Sequence, residues 1–182
     1  MNVNIRKGRL IYFMGASGAG KDSIISGVKQ QLPKDLFLFA QRFITRRAGP
    51  SEDNIYIPPD EFDFLANNGI FIFFWRSNEE SYGISKRILQ DLNNSRNVVV
   101  NGSREYYEKA LVIYPDIVPV IVTVSDDIRT KRLRSRGREN EKAIRARLAR
   151  RYDIPQNAYH IDNSGLLEDS VNLFKAFLMK KL

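Results

Sequence analysis

One glycine-rich stretch constrains the fold of this chain more than any other feature. It follows a short apolar run at residues 10–14 and precedes a helical pattern in which Ile24, Ile25, Val28 and Leu32 share one face. Strand, glycine-rich turn and helix, in this order, are the context that a phosphate-binding loop (P-loop) requires. The stretch consists of Gly15, Ala16, Ser17, Gly18, Ala19, Gly20, Lys21, Asp22 and Ser23. We therefore expect these residues to bind a nucleoside triphosphate.

The residue types in this stretch suit phosphate binding for separate reasons. Glycines let the backbone curl until several N–H groups point at one anion, and the N-terminus of the following helix adds partial positive charge. Lys21 then reaches the β- and γ-phosphates as a point charge. The plainer alternative is a Gly/Ser-rich turn that binds nothing. It is disfavoured because the strand, the spacing and the lysine occur together.

Asp22 departs from the usual signature, in which a Ser or Thr follows the Gly-Lys pair and supplies a hydroxyl to Mg²⁺. Here Asp22 follows Lys21, and Ser23 comes next. A carboxylate beside a triphosphate is repelled unless a cation lies between them. Asp22 is therefore either a ligand of the metal, directly or through water, or an acid that the dipole favours at the helix N-terminus. The sequence leaves both possibilities open.

Composition sets the class and compartment that we expect. The chain has 182 residues, of which 43% are hydrophobic, and it contains no cysteine. This length suits one globular domain, residues 1–182, and the lack of cysteine excludes a disulfide framework and thiol chemistry. The first residues lack the apolar core of a signal peptide, and the longest apolar runs are too short to span a bilayer. We expect a soluble, cytoplasmic protein.

The charge of the chain favours a phosphorylated substrate. Twenty-nine basic and 21 acidic residues give a net charge of +8. The basic residues concentrate at residues 42–47 and 129–151, where aromatic residues do not alternate with them as in a platform that binds single-stranded nucleic acid. A positive site also suits densely phosphorylated small molecules. We therefore expect a small phosphorylated substrate and no nucleic-acid or membrane partner, and the oligomeric state stays open.

Strand-like apolar runs alternate with helical patterns along most of the chain. The strand-like runs cover residues 10–14, 36–43, 97–100, 118–124 and 157–162. The helical patterns cover residues 22–32, 103–113, 126–135, 140–152 and 166–179. This alternation predicts a three-layer α/β/α fold with a five-stranded parallel sheet. Residues 45–95 break the alternation, and we interpret them as a small inserted lobe that binds the acceptor.

A second constellation is arginine-rich and lies at residues 132–148, with the sequence RLRSRGRENEKAIRARL. Arg132 and Arg136 are one helical turn apart, and Arg147 follows across a loop that contains Gly137. A flap that carries guanidinium groups can close over a triphosphate, exclude water and stabilise the charge of a transferred phosphoryl group. The alternative is a solvated basic helix. The P-loop upstream favours a lid, whose region we place at residues 126–151.

Together these motifs resemble the guanylate kinase-like branch of the P-loop kinases. The arginine-rich segment is similar to the lid of that family. The segment YGIS at residues 82–85 resembles its acceptor-binding Tyr-Gly-Thr-Ser turn, FITRR at residues 43–47 its Thr-Thr-Arg phosphate clamp, and NGSR at residues 101–104 its Gln-Gly segment. The resemblance implies that the acceptor is held by Arg46, Tyr82, Ser85, Asn101, Arg104 and Arg138.

Two departures from guanylate kinases argue against guanine as part of the acceptor. Those enzymes carry a glutamate in the strand before the Tyr-Gly turn and an aspartate just before the Gln-Gly segment. Phe74 and Val99 stand at these places here. A site built to read guanine needs polar partners for the donors of the base, so the loss of both acids removes most of the discrimination. GMP is therefore expected to be a poor acceptor.

Four motifs in order, GASGAGKDS, VNGSR, RGREN and DNSG, resemble a sub-branch, the ribose 1,5-bisphosphate phosphokinase family of phosphonate catabolism. The resemblance implies transfer of a phosphoryl group from ATP, with Mg, to ribose 1,5-bisphosphate, giving 5-phospho-α-D-ribose 1-diphosphate. We assign catalytic roles to Lys21, Arg132, Arg136 and Arg147, and Asp22 is the candidate metal ligand, with the alternative given above. A guanylate kinase-type nucleoside monophosphate kinase is the first alternative. A non-catalytic guanylate kinase-like binding module is the second, disfavoured because such modules commonly lose the lysine or the lid arginines.

Overall fold

The computed structural model describes residues 7–47, 53–77, 79–135, 137, 140–150 and 153–180. Strands and helices alternate along much of this chain. The strands are β1 (Leu10–Gly15), β2 (Phe37–Ala40), β3 (Arg42–Ile44), β4 (Asn54–Tyr56), β5 (Phe71–Ser77), β6 (Glu80–Ser85), β7 (Asn97–Asn101), β8 (Val118–Thr123) and β9 (Tyr159–Asp162). The helices are α1 (Lys21–Lys29), α2 (Pro59–Asn67), α3 (Ile88–Asn93), α4 (Tyr107–Ile113), α5 (Asp126–Ser135), α6 (Glu141–Ala149) and α7 (Leu167–Lys180).

A five-stranded sheet has the strand order β2-β7-β1-β8-β9. Strand β2 pairs in parallel with β7, and β8 pairs in parallel with β9. Every residue of β7 is buried, which is what a strand covered on both faces requires. Parallel neighbours need crossover connections: helices α5 and α6 connect β8 to β9, and the second sheet with α2 and α3 lies between β2 and β7 in the chain. The predicted α/β fold with a five-stranded parallel sheet is confirmed.

The single strand predicted over residues 36–43 is wrong, because the chain changes sheets within it. Strand β2 belongs to the five-stranded sheet, whereas β3 pairs with β4 and β6 in a second sheet. The exposed Gln41 lies between the two strands. The polar pair Gln41-Arg42 interrupts the apolar run at this point, but such a pair inside a strand pattern does not by itself show that the chain leaves one sheet for another.

The second sheet has four strands in the order β4-β3-β6-β5. Strand β6 runs antiparallel to both β3 and β5, and β4 runs parallel to β3. Helix α2 contributes Phe62 to a small core with Ile57 and Phe71. The sequence does not predict strand β6, since ESYGIS has no apolar run.

The chain divides into two compact units, Met1–Tyr12 with Leu32–Val118, and Phe13–Gln31 with Pro119–Leu182. In the first unit the buried ring of Tyr12 packs against Phe73 and Tyr107. In the second unit Phe13 packs against Phe174, with ring centroids 4.4 Å apart. Within the described residues, no helix combines the length and the apolar character that crossing a membrane would need.

Candidate active site

The loop between β1 and α1 has a backbone that only glycine adopts readily. Gly18 and Gly20 have φ angles of 89° and 90°, in the left-handed region where a Cβ is disfavoured. Space is also lacking, because a Cβ on Gly20 would collide with the side-chain amide nitrogen of Asn163. A Cβ on Gly15 would lie 2.5 Å from the carbonyl oxygen of Val122. The three glycines of the motif are therefore required by conformation or by close packing.

Two carbonyl groups of the loop are held by buried side chains. The carbonyl oxygen of Ser17 accepts a 3.0 Å hydrogen bond from Nε of Arg129. The carbonyl oxygen of Ala19 accepts a 2.7 Å bond from Nδ2 of Asn163. A trans peptide is planar, so its N–H points away from its C=O. The N–H groups of Gly18 and Gly20 therefore point away from Arg129 and Asn163, an orientation that leaves them able to bind an anion.

Lys21 begins helix α1 and bends back over the loop. Its ammonium group donates hydrogen bonds to the carbonyl oxygens of Gly15 at 2.8 Å and Ala16 at 3.2 Å. The residue before the helix is Gly20, which has no side chain to cap the N-terminal amides of α1. Helix N-terminus and ammonium therefore bring positive charge to one place, as the sequence predicts for a triphosphate site.

Two of the predicted lid arginines, Arg132 in α5 and Arg147 in α6, contact the same loop with their side chains. Nη1 of Arg147 donates a 2.9 Å hydrogen bond to the Ser17 hydroxyl. Arg132 directs Nη1 to the carbonyl oxygen of Ala19 at 3.4 Å and Nη2 to the carbonyl oxygen of Asn163 at 3.2 Å. Lys21, Arg132 and Arg147 are thus brought together around the loop. The other two arginines assigned to this region, Arg136 and Arg138, lie outside the described residues.

Sequence reasoning assigned no role to Arg129 and placed Asn163 only within the DNSG motif. Both are buried, with 5% of Arg129 and 1% of Asn163 exposed. A sequence signal for Arg129 exists, because it precedes the fully buried Leu133 by four residues and so shares a helix face with it. An arginine on the apolar face of a helix needs acceptors inside the protein, and the loop supplies one of them.

The connection between α5 and α6 is bordered by an ion pair and a helix cap. Arg134 donates two hydrogen bonds to the carboxylate of Glu141, at 2.7 and 2.9 Å. This hydrogen bonding lowers the pKa of Glu141 and raises the pKa of Arg134. The side chain of Asn140 accepts a 2.9 Å bond from the N–H of Ala143 and caps α6. Both side chains of the ion pair are exposed, so solvent screens it.

The acceptor residues predicted from the YGIS and FITRR segments lie in the other unit. Tyr82, in β6, stacks on Trp75 with ring planes 5° apart and centroids 5.4 Å apart. The guanidinium carbon of Arg42 lies 5.8 Å from the centre of the Tyr82 ring. Arg46 follows β3 and donates a 3.1 Å bond to the carbonyl oxygen of Arg47. The hydroxyl of Ser85 accepts a 3.2 Å bond from the N–H of Arg87.

The NGSR segment is held by a buried tyrosine. Tyr12 donates a hydrogen bond from its hydroxyl to the carbonyl oxygen of Ser103 at 3.0 Å and accepts one from the N–H of Ser103 at 3.1 Å. A Cβ on Gly102 would collide with the ring of Tyr12. Burial raises the pKa of Tyr12, so the phenol stays neutral. Asn101 is buried at the end of β7, and the Arg104 carbonyl oxygen accepts a 3.3 Å bond from the N–H of Tyr107 as α4 begins.

The two positions that depart from guanylate kinases carry apolar side chains with opposite exposure. Phe74 lies opposite Gly83 in the second sheet and is 46% exposed. Val99 lies inside β7, opposite Phe39, and is 1% exposed. Neither side chain can accept a hydrogen bond from a base.

The carbonyl groups of Ser17 and Ala19 are held from one side, and the left-handed Gly18 and Gly20 that follow them have N–H groups oriented as anion binding requires. The cationic side chains that contact this loop suit phosphoryl transfer. Together with the parallel α/β sheet, this loop defines a P-loop kinase. The fold resembles that of a crystallised guanylate kinase from Anaplasma phagocytophilum, with a TM-score of 0.67 over 97% of this chain and 87% of that one at 17% identity. No family model matches the sequence.

Curated relatives define the family more narrowly. The chain is 39% identical over 176 residues to a ribose 1,5-bisphosphate phosphokinase PhnN of Pseudomonas paraeruginosa, covering 94% of this chain and 95% of that protein. The protein of the same name from Azotobacter vinelandii is 35% identical, covering 96% of this chain and 97% of that protein. The one from Burkholderia pseudomallei is 38% identical, covering 93% of this chain and 95% of that protein. This chain belongs to the ribose 1,5-bisphosphate phosphokinase family, and the family predicted from its motifs is confirmed.

Proposed function

We propose that this chain transfers the γ-phosphoryl group of ATP to ribose 1,5-bisphosphate, the substrate that the names of its relatives give for those proteins. The products are 5-phospho-α-D-ribose 1-diphosphate and ADP, in the context of phosphonate catabolism that the motif resemblance implies. The observation that carries the proposal is the gathering of Lys21, Arg132 and Arg147 on one phosphate-binding loop. It occurs in a chain that matches these relatives over nearly its whole length.

The loop and its cations bind and polarise the triphosphate in this proposal. The backbone N–H groups from Gly15 to Ser23 hold the phosphates, and Lys21 exchanges its contacts with loop carbonyls for contacts with phosphate oxygens. The ammonium and the guanidinium groups of Arg132, Arg136 and Arg147 neutralise the charge that spreads over the transferred group. These contacts act mainly in the transition state, so their loss lowers kcat more than it raises KM for ATP.

The acceptor atom needs no general base. An oxygen of the anomeric phosphate attacks the γ-phosphorus, and the bond from that phosphorus to the β–γ bridging oxygen breaks as ADP leaves. This acceptor oxygen is already anionic at neutral pH, unlike a sugar hydroxyl. Positioning and charge neutralisation therefore suffice. Accordingly, the proposed roles include no histidine, and the only one in the sequence, His160, lies exposed in β9.

The residues beside Lys21 fit a magnesium ion. Asp22 and Ser23 lie in the first turn of α1 and offer oxygen ligands, which Mg²⁺ prefers. The described residues contain no cluster of three or more acidic, His or Cys side chains that could hold a metal by themselves. This suits Mg²⁺, which usually keeps several waters and takes other ligands from phosphates. When bound, the ion would neutralise phosphate charge, with Asp22 or Ser23 as its protein ligand.

Acceptor binding is assigned to polar residues of the other unit and to Arg138. In this proposal Arg46 binds a phosphate of the sugar. Tyr82 donates a hydrogen bond from its hydroxyl, and its stack on Trp75 keeps the ring in place. Phe74 and Val99 offer nothing to a guanine base, which favours a compact sugar phosphate over GMP. The complete set of proposed acceptor residues is Arg46, Tyr82, Ser85, Asn101, Arg104 and Arg138.

An acceptor panel tests the proposal directly. The measurement is kcat/KM for ribose 1,5-bisphosphate, GMP and AMP under identical Mg·ATP, with formation of the diphosphate product followed by ³¹P NMR. We expect turnover of ribose 1,5-bisphosphate and poor turnover of GMP. A preference for GMP of about tenfold or more, worth about 1.4 kcal/mol, would replace the proposal with the guanylate kinase alternative. Nucleotide binding without transfer to any acceptor would point to the non-catalytic module.

A further inference from the structure

Arg129 is a buried cation to which the proposed chemistry gives no role. Its Nε donates to the carbonyl oxygen of Ser17 at 3.0 Å, and Nη2 donates to the carbonyl oxygen of Arg147 at 2.6 Å. Its Nη1 lies 3.7 Å from the exposed carboxylate of Asp126. A guanidinium hidden from water is strongly destabilising unless acceptors surround it. These two carbonyl oxygens are such acceptors, and both belong to residues of the proposed phosphate site.

The contact with Ser17 acts on the phosphate-binding loop. The Ser17 carbonyl and the Gly18 N–H belong to one planar peptide, so holding the carbonyl against Arg129 turns that N–H the other way. The stem of Arg129 lies under the same peptide, since a Cβ on Gly18 would be 3.2 Å from Cγ of Arg129. A charged donor on the carbonyl also polarises the peptide and strengthens its N–H as a donor.

The contact with Arg147 acts on the lid. Arg147 lies in the last turn of α6, where carbonyl groups lack partners inside the helix. The bond from Arg129 holds this backbone, while the side chain of Arg147 donates to the Ser17 hydroxyl at 2.9 Å. Ser17, Arg129 and Arg147 therefore form a closed ring of three hydrogen bonds, in which Arg129 donates to a backbone carbonyl oxygen of each of the other two residues.

We propose that Arg129 is a positioning residue for phosphoryl transfer. It orients the Ser17–Gly18 peptide so that the Gly18 N–H binds phosphate, and it holds the end of α6 so that the Arg147 guanidinium stays at the loop. The second role rests on the proposed function, in which Arg147 acts on the transferred group. The first role concerns nucleotide binding alone and does not depend on the identity of the acceptor.

Two variants and a matched control separate these roles from general stability. Arg129→Met removes the charge and keeps much of the stem, and Arg129→Lys keeps a charge that reaches one carbonyl at a time. Lys131→Met removes one charge from an exposed position of the same helix. For each protein we would measure thermal unfolding, the Kd of a non-hydrolysable ATP analogue by calorimetry, and kcat. We expect Arg129→Met to weaken binding and lower kcat by roughly 10- to 100-fold each, with Arg129→Lys intermediate.

A double-mutant cycle measures the coupling between Arg129 and Arg147 in kcat, which a residue with a purely structural role would not show. If Arg129 acts on catalysis through Arg147, the loss of kcat caused by Arg129→Met is several-fold smaller when Arg147→Met is already present. Equal losses in both backgrounds would overturn the positioning of Arg147. Binding by Arg129→Met within about twofold of Lys131→Met, the scale of ordinary surface substitutions, would overturn the orientation of the loop.

These measurements distinguish a failure of the proposed function from a failure of the proposed role of Arg129. If Arg129→Met does not fold, Arg129→Lys takes its place in both measurements and in the cycle. If ribose 1,5-bisphosphate is not turned over, the proposed function fails, and kcat is then measured with whichever acceptor of the panel the wild type phosphorylates. The Kd requires no acceptor. An unchanged Kd and an additive cycle in a folded Arg129→Lys protein would therefore contradict the role of Arg129 whatever the substrate is.

Discussion

Asn163 donates a 2.7 Å hydrogen bond from its side-chain amide to the carbonyl oxygen of Ala19. The amide is held in this orientation, because its own oxygen accepts a 3.0 Å bond from the hydroxyl of Ser170. Asn163 follows β9 directly, more than a hundred residues away from the loop in sequence. The shape of the phosphate-binding loop therefore depends on a side chain from a distant segment as well as on its own glycines.

The first prediction concerns Gly20→Ala. The new Cβ disfavours the left-handed conformation that Gly20 adopts and displaces the Asn163 amide, so both the loop and its support change. We expect the affinity for an ATP analogue to fall by about tenfold or more, as for loss of a principal polar contact. Gly69→Ala is the matched control, because Gly69 also has a positive φ of 67° but only the flexible end of Lys86 lies near its Cβ position. Equal affinities of the two variants would contradict the prediction.

The second prediction is that Lys21→Ala abolishes turnover in a folded protein. The ammonium donates hydrogen bonds to two loop carbonyl groups, so its removal should change the thermal midpoint of unfolding little. Loss of a principal electrostatic contact in the transition state lowers kcat by roughly 10²–10³-fold. Circular dichroism on heating and steady-state kinetics check both statements. Turnover close to that of the wild type would remove the P-loop kinase mechanism for this chain.

The third prediction separates the two readings of Asp22. If its carboxylate binds the metal, Asp22→Asn raises the Mg²⁺ concentration needed for half-maximal activity, whereas Ser23→Ala changes it little. If Ser23 is the ligand and Asp22 only interacts favourably with the helix dipole, Ser23→Ala raises the Mg²⁺ requirement and Asp22→Asn changes it little. Asp22→Asn then lowers stability by only about 0.3–1 kcal/mol. Magnesium titrations at saturating ATP, together with unfolding of both variants, decide between them. No shift in either titration would contradict a protein ligand at these positions.

The fourth prediction concerns stability at alkaline pH. Burial raises the pKa of Tyr12 above its ordinary value, so its contribution to stability is fully present below about pH 10 and is lost as the pH rises further. Tyr12→Phe should cost about 1–3 kcal/mol at neutral pH, because Ser103 loses its partner. The variant should also lose less stability above pH 10 than the wild type does. Urea unfolding at several pH values measures both effects.

The exposed Tyr56 provides a control for the role of Tyr12. Tyr56 is 48% exposed, so Tyr56→Phe should change the free energy of unfolding by no more than about 0.5 kcal/mol. It should also leave unchanged how steeply this free energy falls above about pH 10. Burial also raises the pKa of Tyr107 and Tyr114, so the Tyr12→Phe protein should still lose some stability as the pH rises above about 10. Parallel slopes for wild type and Tyr12→Phe would contradict the assignment to Tyr12.

The fifth prediction tests the acceptor role of Tyr82. Tyr82→Phe keeps the ring that stacks on Trp75 and removes only the hydroxyl. We expect KM for the acceptor to rise while KM for ATP and the thermal midpoint stay unchanged. Tyr82→Ala also removes the stack, an aromatic pair worth about 0.5–1.5 kcal/mol, and should lower stability. An unchanged acceptor KM in Tyr82→Phe would exclude the hydroxyl from binding.

Local sequence was sufficient for the parts of the site whose chemistry lies on consecutive residues. The order of β1, loop and α1 and the position of Lys21 follow from spacing and residue type. The change from β2 to β3 was not predicted, because the polar pair Gln41-Arg42 at this point is equally compatible with one continuous strand. Strand β6 was missed for a related reason, since its pairing with β3 and β5 outweighs the weak strand propensity of ESYGIS.

The sequence by itself determined the α/β class, the phosphate-binding loop and the family, because glycine spacing, a following lysine and ordered motifs are local features. Only the tertiary structure decided how that loop is held. Asn163 and Arg129 meet the carbonyl groups of Ala19 and Ser17 from segments far along the chain, and the last turn of α6 brings Arg147 to Ser17. A hydrogen bond depends on distance and direction in space, which the spacing of residues in sequence does not express.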